Sequence, residues 1–388
     1  MKIRNLTFFR SVLALSAIGF CAIPSSQAAI PAAAFDATAS TTNVLTRLVP
    51  AGDQCFHYEG RIDFSISNAP VIIWQASRIS LDFEGPAVRL VFSDAKGQNY
   101  FNAEVDGSNT IVEANEGAPV RPPVLVVPGT GRHHLVLFKR SEANVGAVRF
   151  RGVMLAPGAG AWTPKSSKYG LAMEFIGDSI TVGACNEDGP EDQWENRRTH
   201  NCALSYATLT AGTFNADYQN IAVSGMGVAT GWVPILAGQI WDRLYPDSNS
   251  PAINLSAWNP NVIFVNLGEN DGSYPPAHGE LFPTNFTANY VALIRAVRAG
   301  YPKAHIVLLR GGMSNGARNG ALRKAWESAV TDLESGDNGI SHFVFKHWTS
   351  KHPRVMDDRI MAGELIRWLR QQPFMRSYVH PAWPRVVE

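Results

Sequence analysis

The chain has 388 residues, of which 45% are hydrophobic and 17% charged, and its formal net charge is +1. This composition argues against intrinsic disorder, and the apolar fraction is large enough for a sizeable buried core. The length suggests two domains, and the near-zero charge argues against non-specific binding of nucleic acid.

The first 28 residues have the layout of a secretory signal peptide. Three basic residues within the first ten precede an apolar run over residues 12–23, and Ser26-Gln27-Ala28 then forms a small-x-small cleavage site. The run is too short to cross a hydrocarbon core of about 30 Å comfortably, which disfavours the alternative of a membrane anchor. We therefore expect cleavage before Ala29 and export to the periplasm or the extracellular space, with no membrane attachment afterwards.

Three cysteines remain after the leader: Cys55, Cys185 and Cys202. An exported protein meets an oxidising environment, which permits disulfides. Cys185 and Cys202 flank a polar segment, so we predict a disulfide between them that braces this segment, with Cys55 left over and buried. The chain has no CxxC pair and no metal-ligand spacing, so we expect no structural zinc site and no other metal.

Residues 29–158 are predicted to form an all-β domain. Short apolar or alternating segments are separated by glycine-containing turns, and no helical period extends beyond two turns. Regular short strands of this kind favour a β-sandwich or jelly roll. The predicted strands are residues 62–64, 79–83, 88–92, 134–139 and 148–154. A linker of small residues follows over 157–167.

Residues 168–388 are predicted to form an α/β domain, because apolar strands now alternate with helices. Such alternation indicates a parallel sheet covered by helices on both faces. Functional sites in these sheets gather at the carboxyl ends of the strands. The predicted strands are 171–176, 218–223, 262–267, 304–309 and 342–346, and the predicted helices are 203–214, 286–299, 321–333 and 358–369.

Four polar segments follow predicted strands and should therefore meet at one edge of the sheet. They are Gly177-Asp178-Ser179-Ile180, Ser224-Gly225-Met226-Gly227, Gly268-Glu269-Asn270-Asp271 and His352-Pro353. Together they supply a hydroxyl, a backbone N–H, a side-chain amide and an imidazole, which is the set that acyl transfer needs. Ser224 is an alternative nucleophile, but its surroundings lack the G-x-S-x-G pattern of a nucleophile elbow.

In these four segments the chain resembles the SGNH, or GDSL-type, hydrolases. More narrowly, the chain after the leader resembles carbohydrate esterase family 2, also through residues 58–64, 138–142 and 174–181. The resemblance implies a jelly-roll domain followed by a flavodoxin-like three-layer SGNH hydrolase domain. It also implies an acetyl xylan esterase-like enzyme that removes O-acetyl groups from plant polysaccharides, xylan or glucomannan, without a cofactor.

The same resemblance implies a role for each site residue. Ser179 would attack the acetyl carbonyl carbon, and His352 would accept its proton. The backbone N–H groups of Ser179 and Gly225 and the side-chain amide of Asn270 would bind the oxyanion. Asp178 would hold the turn through its side-chain hydrogen bonds rather than take part in the chemistry.

One departure concerns the acid that usually orients the histidine. SGNH enzymes often carry an aspartate two or three residues before the histidine, where this chain has Ser350 and Thr349. A main-chain carbonyl can accept the imidazole N–H bond instead, although it stabilises the imidazolium less. We therefore predict a Ser179–His352 dyad, with no carboxylate bound to His352.

Three aromatic side chains, Trp232, Tyr274 and Trp348, fall on loops at the predicted site edge and are candidates for stacking on a sugar ring. The polar insertion 186–201 carries Trp194 and could shape the cleft. The β-sandwich is expected to pack against the hydrolase domain and could line the cleft as well.

Two other functions remain open. A broad-specificity SGNH lipase, thioesterase or aryl esterase would prefer longer acyl chains, although small lipolytic enzymes of this type do not need a sandwich domain. A carbohydrate-binding protein with a decayed hydrolase site would bind sugar without turnover, and the missing acid motivates this alternative. A dinucleotide site is disfavoured, because the spacing Gly225-x-Gly227-x-x-x-Gly231 has one residue too many.

Overall fold

The computed structural model describes residues 45–117, 124–127, 129–165 and 169–378. The predicted signal peptide and its cleavage site lie outside this part of the chain. Within it, no helix is both long and apolar enough to cross a membrane. The predicted outer bounds of the two domains, 29–158 and 168–388, extend beyond the described residues and stay predictions.

Two antiparallel sheets make up the first domain. Its strands are β1 (Arg47–Pro50), β2 (His57–Glu59), β3 (Ile62–Asp63), β4 (Val71–Ile72), β5 (Arg78–Glu84), β6 (Ala87–Gly97), β7 (Tyr100–Val105), β8 (Ser108–Glu113), β9 (Val124–Val126), β10 (Arg132–Lys139), β11 (Gly146–Leu155) and β12 (Ala161–Trp162). The first sheet has the order β3-β4-β11-β6-β9, with β1 paired to β11, and the second has the order β12-β5-β10-β7-β8, with β2 paired to β5. The predicted sandwich is confirmed.

Alternation of buried and exposed side chains places the sandwich core between the two sheets. In β10, His133, Leu135 and Leu137 are buried, while His134 faces solvent. Leu81 on β5 and Phe150 on β11 join the same apolar cluster from the two sheets. All five predicted strands are present, although β3 has only two residues. The missed strands are mostly short or polar and leave little pattern in the sequence.

The second domain is a five-stranded parallel sheet between helices. Its strands are β13 (Ala172–Gly177), β14 (Asp217–Ala222), β15 (Val262–Asn266), β16 (His305–Met313) and β17 (Ile340–Thr349). Its helices are α1 (Ser179–Val182), α2 (Tyr206–Thr213), α3 (Ala237–Ile240), α4 (Glu269–Ala277), α5 (Phe286–Gly300), α6 (Ser314–Arg318), α7 (Gly320–Gly336) and α8 (Val355–Leu369). The strand order β14-β13-β15-β16-β17 is that of a flavodoxin-like sheet. Separate apolar cores cover its two faces, which confirms the predicted three layers.

The helix predicted over 203–214 begins later than expected. Residues 202–204 form a 3₁₀ turn, and the regular helix α2 starts at Tyr206. Ser205 separates the two, because its hydroxyl accepts the Thr208 N–H at 3.4 Å and caps the helix.

The predicted disulfide between Cys185 and Cys202 is wrong, since both thiols are free and buried, as is Cys55. The Sγ of Cys185 lies 3.4 Å from His200 Nε2, while the Sγ of Cys202 accepts from Asn220 Nδ2 at 3.3 Å. A reciprocal amide pair closes the insertion instead. Asn186 Nδ2 donates to Asn201 O, and Asn201 N donates to Asn186 Oδ1, both at 3.0 Å. Hydrogen bonds therefore close the insertion where a disulfide was predicted.

The sandwich packs against the hydrolase domain through buried polar contacts, as expected. Arg61 and Glu174 form an ion pair at 2.9 Å, with side chains 3% and 0% exposed. Gln75 Nε2 donates to Asn220 Oδ1 at 2.9 Å and to Ala222 O at 2.8 Å. Buried charges without partners are costly, so these contacts fix how the two domains meet.

Candidate active site

The nucleophile turn follows β13 directly. Asp178 caps helix α1, because its Oδ1 accepts the Ile180 N–H at 3.0 Å, and this confirms its expected role in the turn. Ser179 is thereby the first residue of the helix and is only 4% exposed. A β-carbon at Gly177 would overlap the Thr181 side chain, so the strand can enter this turn only through glycine.

The second loop, after β14, presents Gly225 beside the serine. Gly225 has a φ of +80°, and a β-carbon there would press against the Trp232 and Val233 side chains. Asp271 holds the rest of the loop, since its carboxylate accepts the N–H groups of residues 228–230 at 2.7–3.2 Å. Among the described residues neither the Ser179 N–H nor the Gly225 N–H has an acceptor. Both are therefore available to an oxyanion.

Asn270 lies at the start of α4, in the wall of the same cavity. Its Nδ2 donates to Met226 O at 2.9 Å and to Asp178 Oδ2 at 3.2 Å, so both of its N–H groups are engaged. Burial raises the pKa of Asp178 well above its ordinary value, although the Ile180 N–H opposes this shift. An oxyanion would have to share or replace the longer of the two amide bonds.

The predicted dyad is wrong, because a carboxylate is bound to His352. His352 Nδ1 lies 2.8 Å from Asp192 Oδ2, and the His352 backbone N–H approaches the same oxygen at 3.4 Å. The acid comes from the insertion that follows the serine helix, 160 positions before the histidine. The prediction failed because it looked for an acid only beside the histidine in the sequence, whereas Asp192 reaches it through space.

Asp192 also pairs with Arg354. The Arg354 Nη2 and Asp192 Oδ1 atoms lie 2.8 Å apart, although their alignment is not that of a hydrogen bond. Burial alone would raise the pKa of Asp192, but the hydrogen bond with His352 and the nearby positive charges lower it below its ordinary value. Asp192 is therefore ionised at neutral pH and accepts the Nδ1–H, which leaves the other ring nitrogen free as a base.

These groups surround one cavity of about 450 Å³, called here the reaction cavity. Its lining residues are Ser179, Trp194, Ser224, Gly225, Trp232, Val233, Glu269, Asn270, Ser273, Met313, Ser314, Asn315, Ser350 and His352. A larger cavity of about 580 Å³ lies between the sandwich and the hydrolase domain, but it contains none of the predicted site residues. The chemistry of the lining, not the volume, identifies the reaction cavity as the candidate site.

The predicted aromatic residues occupy different positions. Trp232 is 52% exposed at the reaction cavity, and its Nε1 donates to Ser273 Oγ at 3.0 Å. Tyr274 packs edge-on against Trp232, with ring centroids 5.4 Å apart, and is not among the residues that line the reaction cavity. Trp348 faces the Arg318 guanidinium at 4.1 Å, also outside this lining. Sugar stacking by any of the three stays a prediction.

Two family models match the chain. The carbohydrate esterase 2 N-terminal model covers residues 58–164, and the GDSL-like lipase/acylhydrolase model covers residues 175–381. An acetylxylan esterase/glucomannan deacetylase of Cellvibrio japonicus is 30% identical over 340 residues, which are 81% of this chain and 91% of that protein. The chain belongs to carbohydrate esterase family 2.

This family 2 esterase is also similar to two further proteins. The cellulase/esterase CelE of Acetivibrio thermocellus is 33% identical over 327 residues, which are 81% of this chain but only 39% of CelE. A solved family 2 esterase from Clostridium thermocellum, in complex with cellohexaose, is 30% identical with a TM-score of 0.72. That match covers 84% of this chain and all of the solved chain.

One group of side chains in the family 2 esterase has the composition of a metal site. Cys185, Asp192 and His352 place potential ligand atoms within 4.8 Å of one another. The carboxylate and imidazole are already bonded to each other, and the Arg354 guanidinium beside Asp192 would repel a cation. Orientation of the histidine explains the cluster without a metal ion.

Asp192 is a site residue that was not predicted from the sequence, and the insertion around it contributes more to the site than expected. Trp194 stacks on the His352 ring, with centroids 5.5 Å apart and planes at 28°. The insertion carries five acidic residues, and no spacing rule distinguishes Asp192 from the others. The available signal was the insertion itself, a polar segment placed directly after the nucleophile helix and expected to shape the cleft.

Proposed function

We propose that this esterase removes O-acetyl groups from a plant polysaccharide, xylan or glucomannan, with Ser179 as nucleophile, His352 as base and Asp192 as orienting acid. The single observation that carries the proposal is the position of His352. Its Nδ1 is bound to Asp192, and its ring lines the same cavity as Ser179 and Gly225. Nucleophile, base, orienting acid and oxyanion donors therefore converge on one space.

The first step forms an acetyl-enzyme. The Ser179 oxygen bonds to the acetyl carbonyl carbon while its proton passes to His352 Nε2. The carbonyl oxygen becomes an oxyanion that accepts the N–H groups of Ser179 and Gly225 and shares the Asn270 amide. The bond between the acetyl carbon and the sugar oxygen then breaks, and the sugar oxygen takes the proton from His352. Asp192 stabilises the imidazolium during this step.

The second step returns the free enzyme. Water gives a proton to His352 Nε2 as its oxygen bonds to the acetyl carbon. The bond to Ser179 breaks, Ser179 recovers a proton from His352, and acetic acid leaves and loses its remaining proton to the solvent as acetate. His352 carries out every proton transfer in this scheme, and its hydrogen bond with Asp192, together with Arg354, keeps Asp192 ionised.

The surroundings of the site support a carbohydrate substrate. Trp232 offers an exposed ring at the reaction cavity, held by its bond to Ser273. Sugar rings bind well to such aromatic faces because their C–H groups are apolar. A relative named as an acetylxylan esterase/glucomannan deacetylase and a solved relative holding cellohexaose support the same substrate class. The leader predicted over residues 1–28 supports action outside the cytoplasm.

Acetate release from acetylated xylan and acetylated glucomannan, with wild type beside Ser179→Ala, tests the proposal. We expect release by the wild type and a loss of several orders of magnitude in the folded variant. The ratio of the two rates names the preferred polysaccharide. Faster cleavage of long-chain 4-nitrophenyl esters than of the acetate ester would favour a lipase or aryl esterase. Sugar binding without Ser179-dependent turnover would favour a binding protein, although the presence of Asp192 removes the main reason for that alternative.

A further inference from the structure

Every described residue that lines the reaction cavity belongs to the hydrolase domain, so the sandwich contributes no wall to it. One sandwich side chain nevertheless reaches the loop that carries Gly225. Glu142 follows strand β10, is 1% exposed, and precedes a 3₁₀ turn at Ala143–Val145. Its side chain makes no capping bond to that turn. The carboxylate is bound to the other domain instead.

Both oxygens of Glu142 have partners in the hydrolase domain. Oε2 accepts the backbone N–H of Ser224 at 2.8 Å, and Oε1 accepts from Arg197 Nη1 at 3.3 Å. Ser224 is itself 1% exposed, so its N–H would be buried without a partner if the carboxylate were removed. A buried N–H without a partner is costly, and the loop would have to move to satisfy it.

Ser224 immediately precedes the proposed oxyanion donor. The peptide bond is planar, so only the φ and ψ angles of Ser224 lie between its own N–H and the N–H of Gly225. The hydrogen bond from the Ser224 N–H to Glu142 therefore restricts the direction in which the Gly225 N–H points. On its other side the loop is held by Asp271 through residues 228–230. Two buried carboxylates therefore hold the loop, one from each domain.

The partner on Oε1 links the same carboxylate to the insertion. The Arg197 guanidinium lies 4.2 Å from the Trp194 ring centroid, and Trp194 stacks on His352. The positive charge of Arg197 also offsets the negative charge of Glu142, which would otherwise oppose an oxyanion nearby. Glu142 is thus connected both to the loop that carries Gly225 and to the insertion beside His352, although it does not line the reaction cavity.

We propose that Glu142 is a positioning residue for the oxyanion hole, through which the sandwich domain tunes transition-state binding by the hydrolase domain. This role depends on the proposed esterase function and gives the sandwich domain a part in catalysis. A mispositioned donor weakens transition-state binding without weakening substrate binding, so the effect belongs in kcat rather than in KM.

Three substitutions separate positioning from mere ion pairing. Glu142→Ala removes the acceptor, and we expect kcat on 4-nitrophenyl acetate to fall about 10²-fold with KM changed less than about threefold. Glu142→Gln keeps an oxygen at the same reach and should stay within about tenfold of wild type. Glu142→Asp keeps the charge but shortens the side chain by one methylene, so it should lose more kcat than Glu142→Gln. An ion-pairing role alone predicts the opposite order.

The inhibition constant of an analogue of the tetrahedral intermediate should not change when only the stability of the folded protein is reduced. The boron of phenylboronic acid accepts the Ser179 oxygen as its proton passes to His352, and a boron-bound oxygen then occupies the oxyanion position. Its inhibition constant should rise across the three variants in proportion to the loss of kcat/KM. Tyr245→Phe is the matched control, because it removes another contact between the domains, the 2.6 Å bond from Tyr245 Oη to Asp63 Oδ2, away from the site.

Thermal melts and circular dichroism would confirm that each variant is folded at the assay temperature. Wild-type kcat in a folded Glu142→Ala variant, or an Asp variant as active as wild type beside an impaired Gln variant, would overturn the inference. If Glu142→Ala does not fold, the relative kcat values of Glu142→Gln and Glu142→Asp still distinguish positioning from ion pairing. A wild type that cleaves no ester and binds no boronate would instead overturn the proposed function, and the inference with it.

Discussion

The two halves of the candidate site are held by different means. The nucleophile half, with Ser179 and Asn270, is 4–5% exposed and is anchored by Asp178 and Asp271, which are fully buried. The base half depends on surface loops, where the His352 side chain is 17% exposed and Asp192 is 26% exposed. Both halves use carboxylates. The first set accepts N–H groups of the backbone and of the Asn270 amide, whereas Asp192 binds the imidazole and pairs with the Arg354 guanidinium.

This difference separates what is rigid in the site from what responds to the solvent. Carboxylates that accept several backbone N–H groups fix a loop at low conformational cost and are shielded from salt. Partly exposed ion pairs are weaker and are screened by salt. The oxyanion hole should therefore keep its geometry over a wide range of conditions, while the orientation of His352 depends on the charges around Asp192.

Loss of the acid that orients His352 should cost the most activity. Asp192→Asn keeps the size of the side chain but no longer stabilises the imidazolium and favours the wrong tautomer of His352. We expect kcat for acetyl ester cleavage to fall about 10³- to 10⁴-fold with little change in KM. The control is Glu195→Gln, which removes an exposed carboxylate from the same insertion. A dyad oriented by the main chain would predict similar kcat values for both variants.

The corresponding test of the nucleophile half is Asn270→Ala. Loss of one oxyanion donor should lower kcat by about 10²- to 10³-fold, and steady-state kinetics on 4-nitrophenyl acetate would measure it. Because this half is buried, the ratio of wild-type to variant kcat should not change between low and high salt. In the base half, by contrast, salt should lower wild-type kcat. If the ratio of wild-type to Asn270→Ala kcat changed with salt, the nucleophile half would not be shielded from salt.

The insertion that carries Asp192 also contains a buried histidine. Burial and, to a smaller extent, the nearby Arg197 lower the pKa of His200 to about 3, while Asp188 opposes the shift. The folded pKa lies below the ordinary value of about 6.5, so the unfolded chain binds the proton first as the pH falls. The free energy of unfolding should therefore decrease below pH 6.5, by about 2 kcal/mol at pH 5 from this group alone.

Urea unfolding of wild type and His200→Asn at pH 7 and pH 5 would measure this contribution. The variant has no imidazole to protonate, so its free energy of unfolding should change less between the two pH values. His342→Gln, which removes an exposed imidazole bound to Glu334, provides the control. Equal pH dependence in all three proteins would show that His200 is not held neutral by the fold.

The same contrast explains what the sequence could predict. The four predicted site residues follow predicted strands, and the parallel register brings the ends of these strands to one edge of the sheet. They are Ser179, Gly225, Asn270 and His352. Asp192 belongs to an irregular insertion, whose path depends on long-range contacts such as the Asn186–Asn201 pair. Periodicity carries no information about such a path. The wrong predictions of a disulfide and of a dyad therefore both concern the insertion over residues 186–201.

A substitution at the edge of the reaction cavity should change the kinetics least. Trp232→Ala removes the exposed ring at this edge, and a lost stacking contact of about 1 kcal/mol should raise KM for acetylated glucomannan or xylan about fivefold. The small substrate 4-nitrophenyl acetate does not need the ring, so its kinetics should stay within about twofold of wild type. Trp162→Ala, which removes an exposed ring of the sandwich, should change neither substrate. An equal fall in kcat on both substrates in Trp232→Ala would show instead that the ring supports Gly225, which it contacts. Trp232 would then belong to the buried nucleophile half and not to the substrate-binding surface.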